Sequence, residues 1–198
     1  MEAMSSAVSP LAKDEKFTGI LTAFSNPILG TLAGAALTAI IQSSSASVGI
    51  LQALCVTGAV SFGPAIPIIM GQNIGTCATA LLSGVGASKN ARRASLIHLY
   101  FNLIGTLLFL VVFYTLNSFL HFPFLAQTAG AADIAVIHSL FNVGCTIVLF
   151  PFSNILVKLA TLSIPDGKDT QTDTRPAALQ ALDERFLDRP GFAMNLCK

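Results

Sequence analysis

The sequence predicts an all-α polytopic membrane protein, with apolar helices interrupted by polar breaks, one of them a discontinuous crossing helix, and two further transmembrane helices. Two observations carry this expectation, the length of its charge-free stretches and the uncharged polar runs set inside them. Of 198 residues, 53% are hydrophobic and 11% charged, with a mean hydropathy of +0.71. Soluble domains carry about 25% charged residues. No Asp, Glu, Lys or Arg occurs from Phe17 to Ser88, from Ala94 to Ala132, or from Ile134 to Val157. A crossing helix needs about 20 predominantly apolar residues, and each stretch supplies them. A soluble bundle would carry charges on its outward helix faces. Here those faces are apolar, which points to lipid or protein as their surroundings.

Taken in order, residues 1–16 are mixed and end in the charged cluster Lys13-Asp14-Glu15-Lys16. The apolar block that follows is interrupted by the polar run Gln42-Ser43-Ser44-Ser45-Ala46-Ser47. Ser61-Phe62-Gly63-Pro64 reads as a turn. Residues 63–88 are expected to cross as a helix that unwinds near Asn73–Thr76, followed by a short basic loop, Lys89–Arg93. Helices are expected over 95–116 and 134–160, joined around His121-Phe122-Pro123. After Pro165 the chain turns polar and charge-rich, so it leaves the membrane. Lys and Arg in short loops mark the cytoplasmic side. Lys89–Arg93 and Lys158 are two crossings apart and share a side, which places the C-terminal tail in the cytoplasm and Asp133 at the opposite surface.

Other classes find little support. A net charge of +1 gives no electrostatic case for nucleic acid. Cys55, Cys77, Cys145 and Cys197 lie far apart without a CxxC pair, and three of them sit in apolar segments as small hydrophobes. Met1–Met4 lacks the basic and apolar regions of a signal peptide. An internal echo is present: Ile97-His98-x-x-Phe101-Asn102-x-x-x-Thr106 recurs as Ile137-His138-x-x-Phe141-Asn142-x-x-x-Thr146. His and Asn four apart share a helix face, so neighbouring crossings present matching polar stripes. Interhelical hydrogen bonding is the plainest use of such stripes.

The run Gln42–Ser47 is the most informative feature, with five hydroxyl or amide side chains in six positions amid apolar sequence. Isolated serines are tolerated in membrane helices, but a run of this density desolvates several groups that need partners. Gly71–Thr76, followed by Thr79, is a second polar break. Gly71 and Gly75 permit unwound backbone, and they also form a GxxxG, as do Gly30 and Gly34. Interrupted helices with neutral polar tips suit a transporter that meets an oxyanion with half-helix N-termini and sodium with hydroxyl and carbonyl oxygens. No carboxylate lies between residues 17 and 132 to build a proton relay, which favours cation coupling.

Gln42-Ser43-Ser44-Ser45-Ala46, Gly71-Gln72-Asn73-Ile74-Gly75-Thr76 and His98-x-x-Phe101-Asn102 together resemble the sodium/phosphate cotransporter family, the type II carriers and their bacterial relatives. The resemblance covers about residues 1–160, with three motifs in order. It implies two inverted repeats, each with one such serine motif on a re-entrant helical hairpin; this chain has one, implied over residues 21–58 with Gln42–Ser45 at its tip, and Met4–Val8 resembles the helix that opens the second repeat. It divides the chain into a membrane transport repeat (1–163), a cytoplasmic linker (164–181) and the truncated start of a PhoU-like helical domain (182–198). Both ends therefore read as internal to a longer protein.

The function expected is sodium-coupled inorganic phosphate transport across the inner membrane, one repeat of the carrier being supplied here. Gln42, Ser43, Ser44, Ser45, Asn73 and Thr76 are the expected phosphate-binding residues, and Ser47, Thr76 and Thr79 the sodium candidates. No catalytic residue and no cofactor beyond the coupling ion is expected. The partners are phosphate, sodium, the lipid bilayer, and the first repeat of the same carrier or a second copy of this chain. Two rivals differ in class. One is a serine-nucleophile enzyme on Ser45-Ala46-Ser47-Val48-Gly49 with His98 or His138 as base, which lacks the first glycine of the G-x-S-x-G elbow. The other is a non-transporting membrane scaffold or phosphate-signalling subunit.

Overall fold

The computed structural model describes residues 23–165, together with Pro10, Lys16 and Gly19. Within them lie six helices: α1 (Pro27–Ile41), α2 (Ser44–Val56), α3 (Phe62–Ser83), α4 (Lys89–Leu120), α5 (Ala131–Leu149) and α6 (Ser153–Ser163). No strand forms among the described residues; an isolated bridge joins Ser61 to Thr128. The chain divides after Ile164 into two compact units, and the second contributes only Pro165 to the described residues. The expected PhoU-like start and nearly all of the expected linker lie outside them.

Three segments are long and apolar enough to cross a membrane: α3, α4, and α5 with α6. The two arms of the hairpin are not. At 1.5 Å per residue, α1 (15 residues) reaches about 22 Å and α2 (13 residues) about 20 Å, against a hydrocarbon core of about 30 Å. The two arms form a helix–turn–helix, and the turn between them is built from local chemistry. Asn26 caps α1 at the entry, accepting from the backbone N–H groups of Ile28 and Leu29 at 3.0 and 3.3 Å. Gln42 ends α1 in the left-handed region (φ 58°), and Ser43 caps α2, its hydroxyl accepting from the Ala46 N–H at 3.3 Å.

α3 is the axis of the unit: 61% of its most apolar stretch is buried, against 17% in α4 and 22% in α5–α6. α1 runs parallel to it at backbone contact. A Cβ on Gly71 would collide with the carbonyl of Thr31, one on Gly75 with that of Ala35, and one on Gly34 with that of Ile68. A Cβ on Gly30 would come within 2.7 Å of the Pro67 ring. Both GxxxG pairs are thus used for close approach. The hairpin is also fastened by a buried polar junction. Ser47 Oγ accepts from Thr38 Oγ1 at 2.8 Å and from Gln72 Nε2 at 2.9 Å, joining α2, α1 and α3. Gln72 Oε1 and Thr31 Oγ1 are buried without a partner among the described residues.

Three expectations are corrected. α3 is continuous through Asn73–Thr76 instead of unwinding. Its polar side chains turn back on their own helix: Asn73 Nδ2 donates to the Ile69 carbonyl (3.0 Å) and Thr76 Oγ1 to that of Gln72 (2.9 Å). The glycines that would license unwinding serve the α1 contact instead. Lys89–Arg93 is the opening of α4 and not a loop, because Ser88 caps the helix by accepting from the Ala91 N–H at 3.3 Å. The final helix is two: Pro151 lies in a 3-10 turn, Phe150–Phe152, that separates α5 from α6.

Contacts sort the two ends of the bundle. At one end, the Phe62 N–H donates to the Gln127 carbonyl and the Ala129 N–H to that of Val60, both at 3.0 Å, while Gln52 Nε2 donates to the Ala131 carbonyl at 3.0 Å. Asp133 lies here, accepting from the Gly130 N–H at 2.8 Å. At the other end, Arg93 donates twice to the Ile164 carbonyl (3.0 and 2.7 Å), and Tyr100 bonds Ser163 at 2.7 Å. Apolar side chains such as Leu107, Val111, Leu140 and Ile147 are exposed along the outer faces of α4 and α5, as lipid contact requires.

Two stability outcomes follow. Gly71→Val, which forces α1 away from α3, costs about 1–3 kcal/mol or more, whereas Gly63→Ala, whose nearest neighbour stands 3.4 Å away, is tolerated. Ser47→Ala strands the Gln72 amide and costs about 1–3 kcal/mol, while Ser45→Ala on the exposed tip costs little. Thermal midpoints from size-exclusion chromatography in detergent check both, and equal midpoints within either pair would refute the packing described.

Candidate functional site

Motifs distant in sequence meet in a half-open cavity of about 280 Å³ between the helices. α2 contributes Ser44, from the first turn after the hairpin tip; α3 contributes Asn73 and Thr76. α4 adds His98, Phe101 and Asn102, and α5 adds His138 and Asn142. The lining holds no Asp, Glu, Lys or Arg. It presents hydroxyls, amides and imidazoles, groups that both donate and accept hydrogen bonds.

Local geometry explains each placement. Ser44 opens α2, so it sits where the helix N-terminus leaves backbone N–H groups unpaired and concentrates positive potential. Asn73 and Thr76 are three apart and share a face of α3. Asn102 Nδ2 donates to the His98 carbonyl at 3.0 Å, and Asn142 Nδ2 to the His138 carbonyl at 2.7 Å, so the two echoed motifs adopt one local arrangement. The echo diverges at its last position: Thr106 reaches across to the Met70 carbonyl on α3 (3.3 Å), whereas Thr146 bonds within its own helix to Asn142 (2.8 Å).

Of the expected phosphate-binding residues, the structure gathers Ser44, Asn73 and Thr76 at the cavity. Gln42 and Ser45 are exposed at the hairpin tip, where Ser45 Oγ bonds Ser43 Oγ at 3.3 Å. Ser43 is half-buried and serves as the α2 cap. The sodium candidates are spread. Thr76 lines the cavity, Ser47 is the centre of the buried junction, and Thr79 Oγ1 donates to the Thr76 carbonyl at 2.8 Å. Sequence reasoning did not single out Thr38 or the linking role of Gln72, since a hydrogen bond between helices leaves no spacing signal. His98, Asn102, His138 and Asn142 form matching stripes in the sequence, but spacing alone does not mark them as site residues.

The profile of the family described as Na+/Pi-cotransporter matches residues 1–127. An uncharacterised Bacillus subtilis protein, YqeW, is 34% identical over 143 residues, covering 68% of this chain and 43% of its own length. The Escherichia coli protein YjbB, named for inorganic phosphate export, is 29% identical over 201 residues, covering 98% of this chain and 35% of its own length. The human sodium-dependent phosphate transport protein 2C is 41% identical over 88 residues, covering 42% of this chain and 15% of its own length. The chain thus spans less than half the length of these curated relatives, and no solved structure matches it. With its crossing helices and its three ordered motifs, the chain belongs to the Na+/Pi-cotransporter family.

Proposed function

We propose that this chain is one repeat of a carrier for inorganic phosphate, coupled to sodium. The observation that carries the reading is the neutral polar cavity, where Ser44 at the start of α2 meets Asn73 and Thr76 among membrane-crossing helices. A phosphate needs several hydrogen-bond donors and must be released on the far side. Hydroxyl and amide donors at a helix N-terminus satisfy the first need without the deep trap of a buried Arg or Lys. The names of two relatives, one a phosphate export protein and one a sodium-dependent phosphate transport protein, agree on the substrate and leave the direction of flux open.

Ser44, Asn73 and Thr76 are the proposed inner ligands of the anion. Gln42 and Ser45, with the half-buried Ser43 between them, face the part of the site that another repeat completes, because exposed polar groups such as those of Gln42 and Ser45 at the tip of a re-entrant hairpin need partners that lipid does not offer. That partner is the first repeat of the same carrier or a second copy of this chain. Sodium is expected near Thr76 and Thr79, whose carbonyl and hydroxyl oxygens suit a hard cation, and Ser47 would join only if its junction rearranged. Lys89, Arg92 and Arg93 open α4 at the end where α6 closes, which favours that end, and the tail that follows it, as cytoplasmic in an inner membrane.

The test is radiolabelled phosphate uptake into proteoliposomes containing this chain, with sodium or potassium outside and Ser44→Ala beside the wild type. Sodium-dependent uptake is expected, with apparent phosphate affinity about 10- to 100-fold weaker in Ser44→Ala, the value of one hydrogen bond to a charged group. Uptake indifferent to Ser44→Ala would remove the cavity from the transport path, and uptake indifferent to the cation would remove the coupling. Uptake that arises only when a first repeat is supplied would place the site at the junction of two repeats.

A further inference from the structure

We propose that His98 and His138 are anion-binding residues, and that the repeated His-x-x-Phe-Asn motif is a paired donor set built into one cavity. The proposal rests on the reading of that cavity as a phosphate site. Four observations support it. First, both imidazoles line the cavity that holds Ser44, Asn73 and Thr76, and they come from different helices. Second, among the described residues neither ring nitrogen of either histidine hydrogen-bonds a protein group. An imidazole kept as glue between helices would be spent on the neighbouring helix; these two are half-buried and unspent.

Third, what is spent is the neighbouring amide. Each motif's Asn donates to the carbonyl of its own His, at 3.0 and 2.7 Å, so the two His–Asn pairs share one local geometry with the rings left over. Fourth, the lining has no fixed positive charge. Ser44 and Thr76 bring one hydroxyl donor each, and Thr76 directs its own at the Gln72 carbonyl. An oxyanion held here therefore needs further N–H groups, and an imidazole supplies one in either neutral tautomer. The ligand class is a small tetrahedral oxyanion, contacted by hydroxyls and amides from α2 and α3 and by two imidazole N–H groups from α4 and α5.

The chain contains three histidines, and the third provides an internal reference: His121 ends α4, exposed and away from the cavity. The full chain, labelled with nitrogen-15 at histidine and reconstituted in lipid nanodiscs, is titrated with inorganic phosphate and, separately, with chloride. The ring resonances of His98 and His138 are expected to move saturably with phosphate alone while that of His121 stays still. His98→Leu and His138→Leu are each expected to weaken phosphate binding about tenfold, the low end of one hydrogen bond to a charged group. His98→Gln and His138→Gln, which keep an N–H donor, should recover part of that loss; a purely structural role would not follow this order. Saturable binding that is sensitive to Ser44→Ala but leaves both ring resonances unmoved would overturn the assignment and leave the phosphate site standing. Absence of saturable phosphate binding would overturn the phosphate site and this assignment together.

Discussion

The contact between α1 and α3 is the constraint on which the rest of the unit depends. Four glycines let two backbones touch over the length of the hairpin's first arm, and no other residue type fits at those positions. The contact sets how deep the hairpin can go. It also sets where Thr38 meets Ser47 and Gln72, and hence where α2 begins and where Ser44 points. In lipid, helices gain little from burying apolar surface against each other, so dispersion at close range and a few hydrogen bonds carry the association. The second arm adds apolar packing of its own, Leu51, Leu54 and Cys55 clustering with Ile68, Ile69 and Ile134.

A division of labour among polar groups follows. The hydroxyls and amides of this region fall into those spent on structure and those kept for the cavity, and sequence alone does not tell them apart. Ser43 caps a helix, Ser44 lines the cavity, and Ser47 ties three helices, although all three lie within five consecutive residues. Their fates differ because the chain turns from α1 to α2 through a single left-handed residue, Gln42. Each step along the run then points to a new neighbour.

Much of the fold was legible because its causes are local or compositional. Charge-free length reports a membrane, and a dense polar run inside it reports a break in the apolar helices. What was not legible depends on partners. Gly71 and Gly75 read equally well as a hinge or as a contact surface, and only the presence of α1 against them decides for contact and keeps α3 helical. Lys89–Arg93 looked like a loop because basic clusters often end helices, yet Ser88 turns the same residues into a first turn. Pro151 lay in an apolar run with no polar flank to mark the break it makes. As for the candidate site, the polar runs of the hairpin and of α3 stand out in the sequence, but their meeting with His98 and His138 is a property of the bundle and not of any segment.

The length of α4 has a consequence for its place in the bilayer. Its 32 residues span about 48 Å at 1.5 Å each. A tilt near the steepest commonly seen, about 40°, lets a helix fit only about 39 Å within a hydrocarbon core of about 30 Å. At least about six residues must therefore sit in the headgroup layers at any tilt up to that one. The first turn of α4 is the natural place for them, since the exposed Arg92 can keep its stem in the apolar layer while its charged end reaches lipid phosphates, Arg93 being held by the Ile164 carbonyl. The helix that carries His98 is thereby anchored to one leaflet, so a change in bilayer thickness would be felt at the cavity as a change in the tilt of one of its walls.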